Sequence, residues 1–352
     1  MTSKTMNHIL EEDVRQFAED FPLWSSLRGQ TIAVTGATGL LGSCAIRCLL
    51  MLNRLYGAGI GVLAVVRSEE KLRQVFASEA IPYYIYDCAS GKPFSPPVPV
   101  DGLIHFASPT ASRYFVTHPV DTLLTGVLGT DSILRYARSS RLRSLVYVSS
   151  LEVYGEVADD SHPLTEDMQG YLPLTDARSS YPMGKRAAEC LCHAYAEEYG
   201  VPVKIARLAQ TFGAGVSPDD GRVFAQFARS VIRGEDIVLH TAGLLSRSYC
   251  YTTDAMSALF YLLLGGVDGE AYNVANPETY VSVADMARFV CREFNPSCRL
   301  RVEPKEGMGY SPTTHLRLST DKMERLGWRP RYGLREMYHR LILSLKEDLA
   351  NE

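Results

Sequence analysis

The chain has 352 residues, enough for one large domain or for two that share a cleft. Its 46% hydrophobic and 22% charged residues are those of an ordinary globular protein, and a formal charge of -4 without like-charge runs favours neither nucleic acid nor an anionic membrane as partner. No stretch reaches the roughly 20 apolar residues that span a bilayer, the acidic start (Glu11, Glu12, Asp13) is unlike a secretory signal, and scattered cysteines without metal spacing suit a reduced, cytoplasmic setting.

In chain order, His8 to Leu27 reads as an amphipathic packing helix, so residues 1–30 form an N-terminal helical extension. Thr31 to Thr35 is a buried strand, Gly36 to Gly42 a glycine-rich turn, Cys44 to Leu55 a helix and Gly61 to Val66 a second strand. Four prolines between Pro93 and Pro99 mark a surface connection. Leu103 to Phe106 and Leu145 to Ser149 read as strands, with helix around Leu123 to Ser139 between them. Tyr181 to Tyr199 is a strong helix, with Ala187, Ala188, Leu191 and Tyr195 recurring on one face, and Val203 to Leu208 is a further strand. Strands alternating with helices predict an α/β fold, a doubly wound parallel sheet of Rossmann-like type. Residues 31–212 are then mainly a dinucleotide-binding domain and 213–352 mainly a smaller substrate-binding lobe.

Two motifs carry chemistry. Gly36, Thr38, Gly39, Leu40, Leu41 and Gly42 lie between a strand and a helix, where glycines let the backbone approach a pyrophosphate and the helix start offers free N–H groups. The second strand ends at Arg67 without the acid that would hold a ribose 2′-hydroxyl, so the cofactor reads as NAD or NADP. Asp87 and Cys88 stand where adenine would pass. Second, Tyr181 and Lys185 share a helical face. A neighbouring ammonium and a nicotinamide cation lower a phenol's pKa, so Tyr181 can take a hydroxyl proton while hydride leaves the same carbon. Ser150, at a strand end, can bind the same oxygen. His105 ends an apolar strand and reads as a satisfied near-core histidine, and the other histidines lack metal spacing.

With these pieces, Thr35 to Gly42, His105 to Ser108, Ser149 to Gly155 and Tyr181 to Lys185, the chain resembles an extended short-chain dehydrogenase/reductase of the NAD-dependent epimerase/dehydratase family. The resemblance implies that Ser150, Tyr181 and Lys185 are catalytic, and that Phe106, Ala107 and Ser108 line the cofactor. It also implies a nucleotide-sugar substrate and a homodimer. Glu152 resembles the glutamate of dehydratases and uronate decarboxylases, whereas Leu151 replaces the acid of 4,6-dehydratases. Ser108-Pro109, Asp220 to Val223 and Ser246 to Tyr251 are similar to UDP-glucuronate decarboxylases, and place Arg222 and Arg247, with Gln210 and Arg317, at the substrate. Gln210 stands where asparagine is usual, and Arg67 replaces an acidic strand end. Against these two departures, the resemblance still makes decarboxylation the favoured expectation. Its alternatives are epimerisation, reduction of a keto-sugar or alcohol, and an inactive NAD(P)-binding scaffold.

Overall fold

The computed structural model describes residues 6–77, 79–108, 112–157, 159–305 and 314–350. The first half runs α1 (His8–Asp20), β1 (Thr31–Thr35), α2 (Leu40–Tyr56), β2 (Gly61–Val66), α3 (Glu69–Val75), β3 (Tyr83–Ile85), β4 (Gly102–His105), α4 (Ser112–Thr117), α5 (Pro119–Ser139), β5 (Ser144–Ser150), α6 (Ser180–Tyr199) and β6 (Val203–Leu208). It continues through β7 (Gln210–Phe212), α7 (Val223–Arg233), β8 (Ile237–Leu239), β9 (Ser246–Tyr251), α8 (Thr252–Gly265), β10 (Ala271–Val274), β11 (Asn276–Ser282), α9 (Val283–Phe294), β12 (Leu300–Val302), β13 (His315–Leu316), α10 (Asp321–Arg325) and α11 (Leu334–Ala350).

A seven-stranded parallel sheet, in the order β10-β6-β5-β4-β1-β2-β3, is the frame. Helices cover both faces, so its central strands are apolar almost throughout: β4 and β6 are buried along their whole length. The order reverses between β1 and β4, and the crevice outside the strand ends at such a reversal is where an α/β sheet takes its ligand. The doubly wound fold read from the alternation of strands and helices is the one observed.

Helix α1 starts where the Asn7 side chain accepts the Ile9 and Leu10 N–H groups. It ends at Asp20, short of the expected Leu27, because Phe21 precedes Pro22 and the residue before a proline is pushed out of the helical region. Trp24 to Leu27 then form a separate 3-10 turn. Val14, Phe17 and Ala18 of α1 join the main core with residues of α2 and α8.

A second core fills the C-terminal lobe, where Phe212, Phe224, Tyr249, Met286, Val290, Tyr338 and Leu341 pack together. Leu40, at the start of α2, rests against it and ties the lobe to the glycine turn. The chain does not stay in the lobe after residue 213: β10 returns to pair with β6, and Leu259, Leu262 and Leu263 of α8 belong to the core beneath the large sheet.

Candidate active site

The glycine turn is shaped by contacts between backbones. Gly36 has φ 64°, and a Cβ there would press on the Phe106 carbonyl carbon and the Ala107 backbone at 3.2–3.3 Å. A Cβ on Gly42 would overlap the Gly36 carbonyl. Gly39 caps α2 without a side-chain bond, leaving the N–H groups of the first turn for an anion. Thr35 braces this arrangement: its hydroxyl accepts the Ala107 N–H at 3.1 Å and bonds His105 Nδ1 at 2.7 Å. The other ring nitrogen of His105 lies 3.5 Å from the Thr130 hydroxyl. Burial, with the Lys185 charge second, pushes His105 down to about 3, so it is a neutral core histidine and not a proton carrier.

This Cβ-free cradle, with Phe106, Ala107 and Ser108 half-buried beside it, fits the pyrophosphate of a dinucleotide. Thr38, Leu40 and Leu41 are half-buried around the turn. Arg67 is exposed just past β2, and Asp87 is exposed past β3, its carboxylate accepting the Ala89 N–H at 3.0 Å. Cys88 is buried against Gly129 of α5. Burial and Asp87 push its thiol up to about 12 while Arg67 acts the other way, so the three share one edge of the crevice. Pro109 lies outside the described residues.

Strand β5 and helix α6 bring the second motif together. Ser150 ends β5 and caps a 3-10 turn, accepting the Glu152 N–H at 3.2 Å. Its hydroxyl is near enough to the Tyr181 phenol to favour the phenolate. Lys185 lies one turn further along α6, buried, with Nζ donating to the Val148 carbonyl at 2.7 Å and standing 5.8 Å from the Tyr181 ring centre. Burial pushes Lys185 down to about 8, against the nearby Glu189 carboxylate. The phenol of Tyr181 departs from the expectation of a lowered pKa. In the protein alone it is raised, by burial first and the Glu152 charge second, while Ser150, Arg178 and Arg222 oppose the rise.

Glu152 Oε2 lies 2.8 Å from Nη2 of Arg178, a residue that sequence reasoning passed over. Phe115 of α4 was passed over too. Its ring stacks on Tyr181 with centroids 4.3 Å apart and planes at 6°, and the Arg178 guanidinium carbon lies 5.1 Å from the centre of the Phe115 ring. The available signal was position: Arg178 is three residues before Tyr181, almost one helical turn. Leu151, by contrast, turns into the core.

The substrate candidates divide. The Arg222 charge bears on the Tyr181 phenol and lowers its pKa, and the guanidinium is held by Asp220 at 2.5–3.1 Å. Arg247 Nη1 donates to Gln210 Oε1 at 3.2 Å, which puts two candidates on adjoining strands β7 and β9, and its buried Nε has no partner among the described residues. Arg317 is exposed; its carbonyl accepts the Leu164 N–H, and its charge bears on Tyr280. Behind the site, Arg207 forks onto Glu189 at 2.7–3.2 Å and also donates to the Tyr154 hydroxyl and the Glu166 carbonyl. No group of residues able to hold a metal ion occurs among the described residues.

Residues 32–275 match the family model described as the NAD dependent epimerase/dehydratase family. UDP-glucuronic acid decarboxylase 5 of Arabidopsis thaliana is 34% identical over 239 residues, 68% of this chain and 68% of that protein. UDP-glucuronic acid decarboxylase 6 of the same plant is 30% identical over 305 residues, 87% of this chain and 85% of that one. Among solved structures, the UDP-glucuronic acid 4-epimerase of Bacillus cereus, in complex with UDP-glucuronic acid and NAD, matches with a TM-score of 0.73 and 18% identity over 90% of this chain and 99% of its own. At that identity the likeness is one of fold.

Proposed function

Because the chain belongs to the NAD-dependent epimerase/dehydratase family, we propose that it is a nucleotide-sugar enzyme, and that its reaction is the decarboxylation of a UDP-linked hexuronate. The observation that carries the reading is the joint placement of the Ser150 hydroxyl, the Tyr181 phenol and the Glu152–Arg178 pair, with the Arg222 charge bearing on Tyr181 from the C-terminal lobe.

Tyr181 and Ser150 would take up the sugar 4-hydroxyl, Ser150 orienting it and Tyr181 receiving its proton. Lys185, fixed to the Val148 carbonyl, supplies positive charge to this corner. When bound in the glycine cradle, the nicotinamide supplies the hydride acceptor, later the donor, and a positive charge that favours the phenolate. A 4-ketone makes the C5 carboxylate part of a β-keto acid. Its C–CO2 bond breaks into an enolate, which is then protonated at C5. Glu152, next to Tyr181, serves this later stage. Arg222 and Arg247 are suited to a diphosphate or a carboxylate, since a guanidinium holds either through two parallel bonds. Burial of Leu151 in the core leaves no acid beside Glu152 on its N-terminal side, which speaks against 4,6-dehydration.

Several smaller points belong to the same reading. The family name gives NAD, and an exposed Arg67 where an acid would hold the 2′-hydroxyl predicts that NADP binds as well; parallel titrations check this. Val120, Leu124 and Leu128 of α5 are exposed beside α6, a stripe we assign to a second copy in a homodimer. All eight cysteines are free, which favours the reducing cytoplasm. The test is incubation with UDP-, CDP-, GDP- and dTDP-sugars read by mass spectrometry and NMR. Loss of CO2 from UDP-glucuronate supports the proposal. An unchanged mass with an altered NMR spectrum replaces it by epimerisation, and no change with any sugar overturns it.

A further inference from the structure

Arg178 sits in a 3-10 turn (Ala177–Ser179) that leads into α6. The turn is fixed from below, because the Asp176 carboxylate accepts the Arg178 N–H at 2.8 Å and the Asp176 carbonyl accepts the Ser179 N–H at 2.9 Å. The guanidinium therefore has a defined place. Nη2 meets Glu152 Oε2 at 2.8 Å, and the plane of the group lies near the Phe115 ring that stacks on Tyr181. Glu152 is fixed from its other end by the bond from its N–H to Ser150. Backbone and carboxylate of Glu152 are thus held by two groups that belong to the Tyr181 corner.

Nη1 of Arg178 is buried and meets no protein hydrogen-bond acceptor among the described residues. Leaving a buried charged donor unmet is costly, and a guanidinium used only to staple two segments is ordinarily saturated. The second guanidinium of this region, Arg207, is saturated in just that way.

We propose that Arg178 is a positioning residue, which holds the Glu152 carboxylate against the Ser150–Tyr181 corner so that Glu152 can act on the sugar after its oxidation. The inference deepens the functional reading above and rests on it. Glu152 on its flexible side chain has several rotamers, and the one observed meets Arg178 with its charge bearing on the Tyr181 phenol. A guanidinium held on a short turn favours that rotamer before substrate arrives, which is where much of the rate from correct placement comes from.

The test compares Arg178→Gln, Arg178→Lys, Glu152→Gln and the Arg178→Gln/Glu152→Gln double variant of the full chain, with NAD and UDP-glucuronate. For Arg178→Gln we expect kcat to fall about 10- to 100-fold with KM within about threefold of wild type. Mass spectrometry should show a larger share of released 4-keto-sugar. Melting temperature and NAD affinity should stay at wild-type values. Arg178→Lys should recover part of kcat, and the double variant should be no slower than Glu152→Gln, because both changes remove one unit. Multiplicative losses in the double variant, or an unchanged kcat in Arg178→Gln, would overturn the proposal. So would a fall in melting temperature and NAD affinity shared by the Gln and Lys variants, which marks a structural residue. No turnover by the wild-type chain overturns the functional reading, and the inference with it.

Discussion

Two carboxylate–guanidinium pairs flank the same helix, and they differ in kind. Glu189–Arg207, with side chains 9% and 11% exposed, is closed: every arm of the guanidinium is bonded, and Glu189 also receives the Ser149 hydroxyl. Glu152–Arg178, with side chains 25% and 20% exposed, is open, one contact long and with a buried N–H arm unmet among the described residues. Tyr181 and Lys185 lie between the two pairs along α6. A saturated pair is what a fold needs to bury charge, whereas an unsaturated one beside a reactive phenol is what a site needs to receive something else. Proximity to the catalytic helix does not separate the two pairs; the state of their hydrogen bonds does.

The largest effect expected lies between the pairs. Tyr181→Phe should cut turnover by roughly 10²- to 10⁴-fold, the range for a general acid–base group, while NAD binding by titration is retained. The closed pair should break as a matter of stability. Arg207→Met leaves Glu189 buried without its guanidinium and should cost about 3–5 kcal/mol by denaturant unfolding, much of which returns when Glu189 is replaced by an apolar residue too. The open pair should break as a matter of chemistry: Glu152→Gln should lower product formation by about 10- to 100-fold and change unfolding stability by under about 1 kcal/mol. Equal losses of stability in both pairs would erase the distinction.

The smallest effect sharpens the comparison with a third carboxylate. Asp254 is buried, with the N–H groups of Arg331 and Tyr332 for partners at 3.0 Å. Burial raises it from 3.8 to about 7 despite those bonds, and Asp13 nearby adds to the rise. A carboxyl whose folded pKa is raised binds protons more tightly when folded, so its contribution to stability is present at low pH and is lost as pH rises from about 4 through about 7. Asp254→Asn, which keeps an acceptor for the two N–H groups, should flatten that decline in a series of urea unfolding curves. A wild-type and variant difference that is constant with pH would contradict the assignment.

The parts legible in the sequence are those written in local pattern. The strands Thr31 to Thr35 and Val203 to Leu208 stand where periodicity and burial put them, because a strand buried on both faces is an apolar run. The glycine turn was equally plain, since its glycines answer to backbone contacts at fixed offsets. The return of β10 to the large sheet was not legible, because nothing in four residues of strand names a partner 66 residues upstream. Nor was Arg178: an arginine in a polar loop is usually a solvated charge, and only the fold brings Glu152 within 2.8 Å of it. Gln210 and Arg247 were named separately, and their contact depends on the pairing of β7 with β9.

The account rests on a sugar oxidised and restored within one turnover, and a label at the reacting carbon tests that most directly. UDP-glucuronate carrying deuterium at C4 should give a product that has lost CO2 and kept the deuterium at C4, with no reduced cofactor accumulating in solution. Deuterium lost to solvent or to free reduced cofactor, or a substrate returned unchanged, would contradict it.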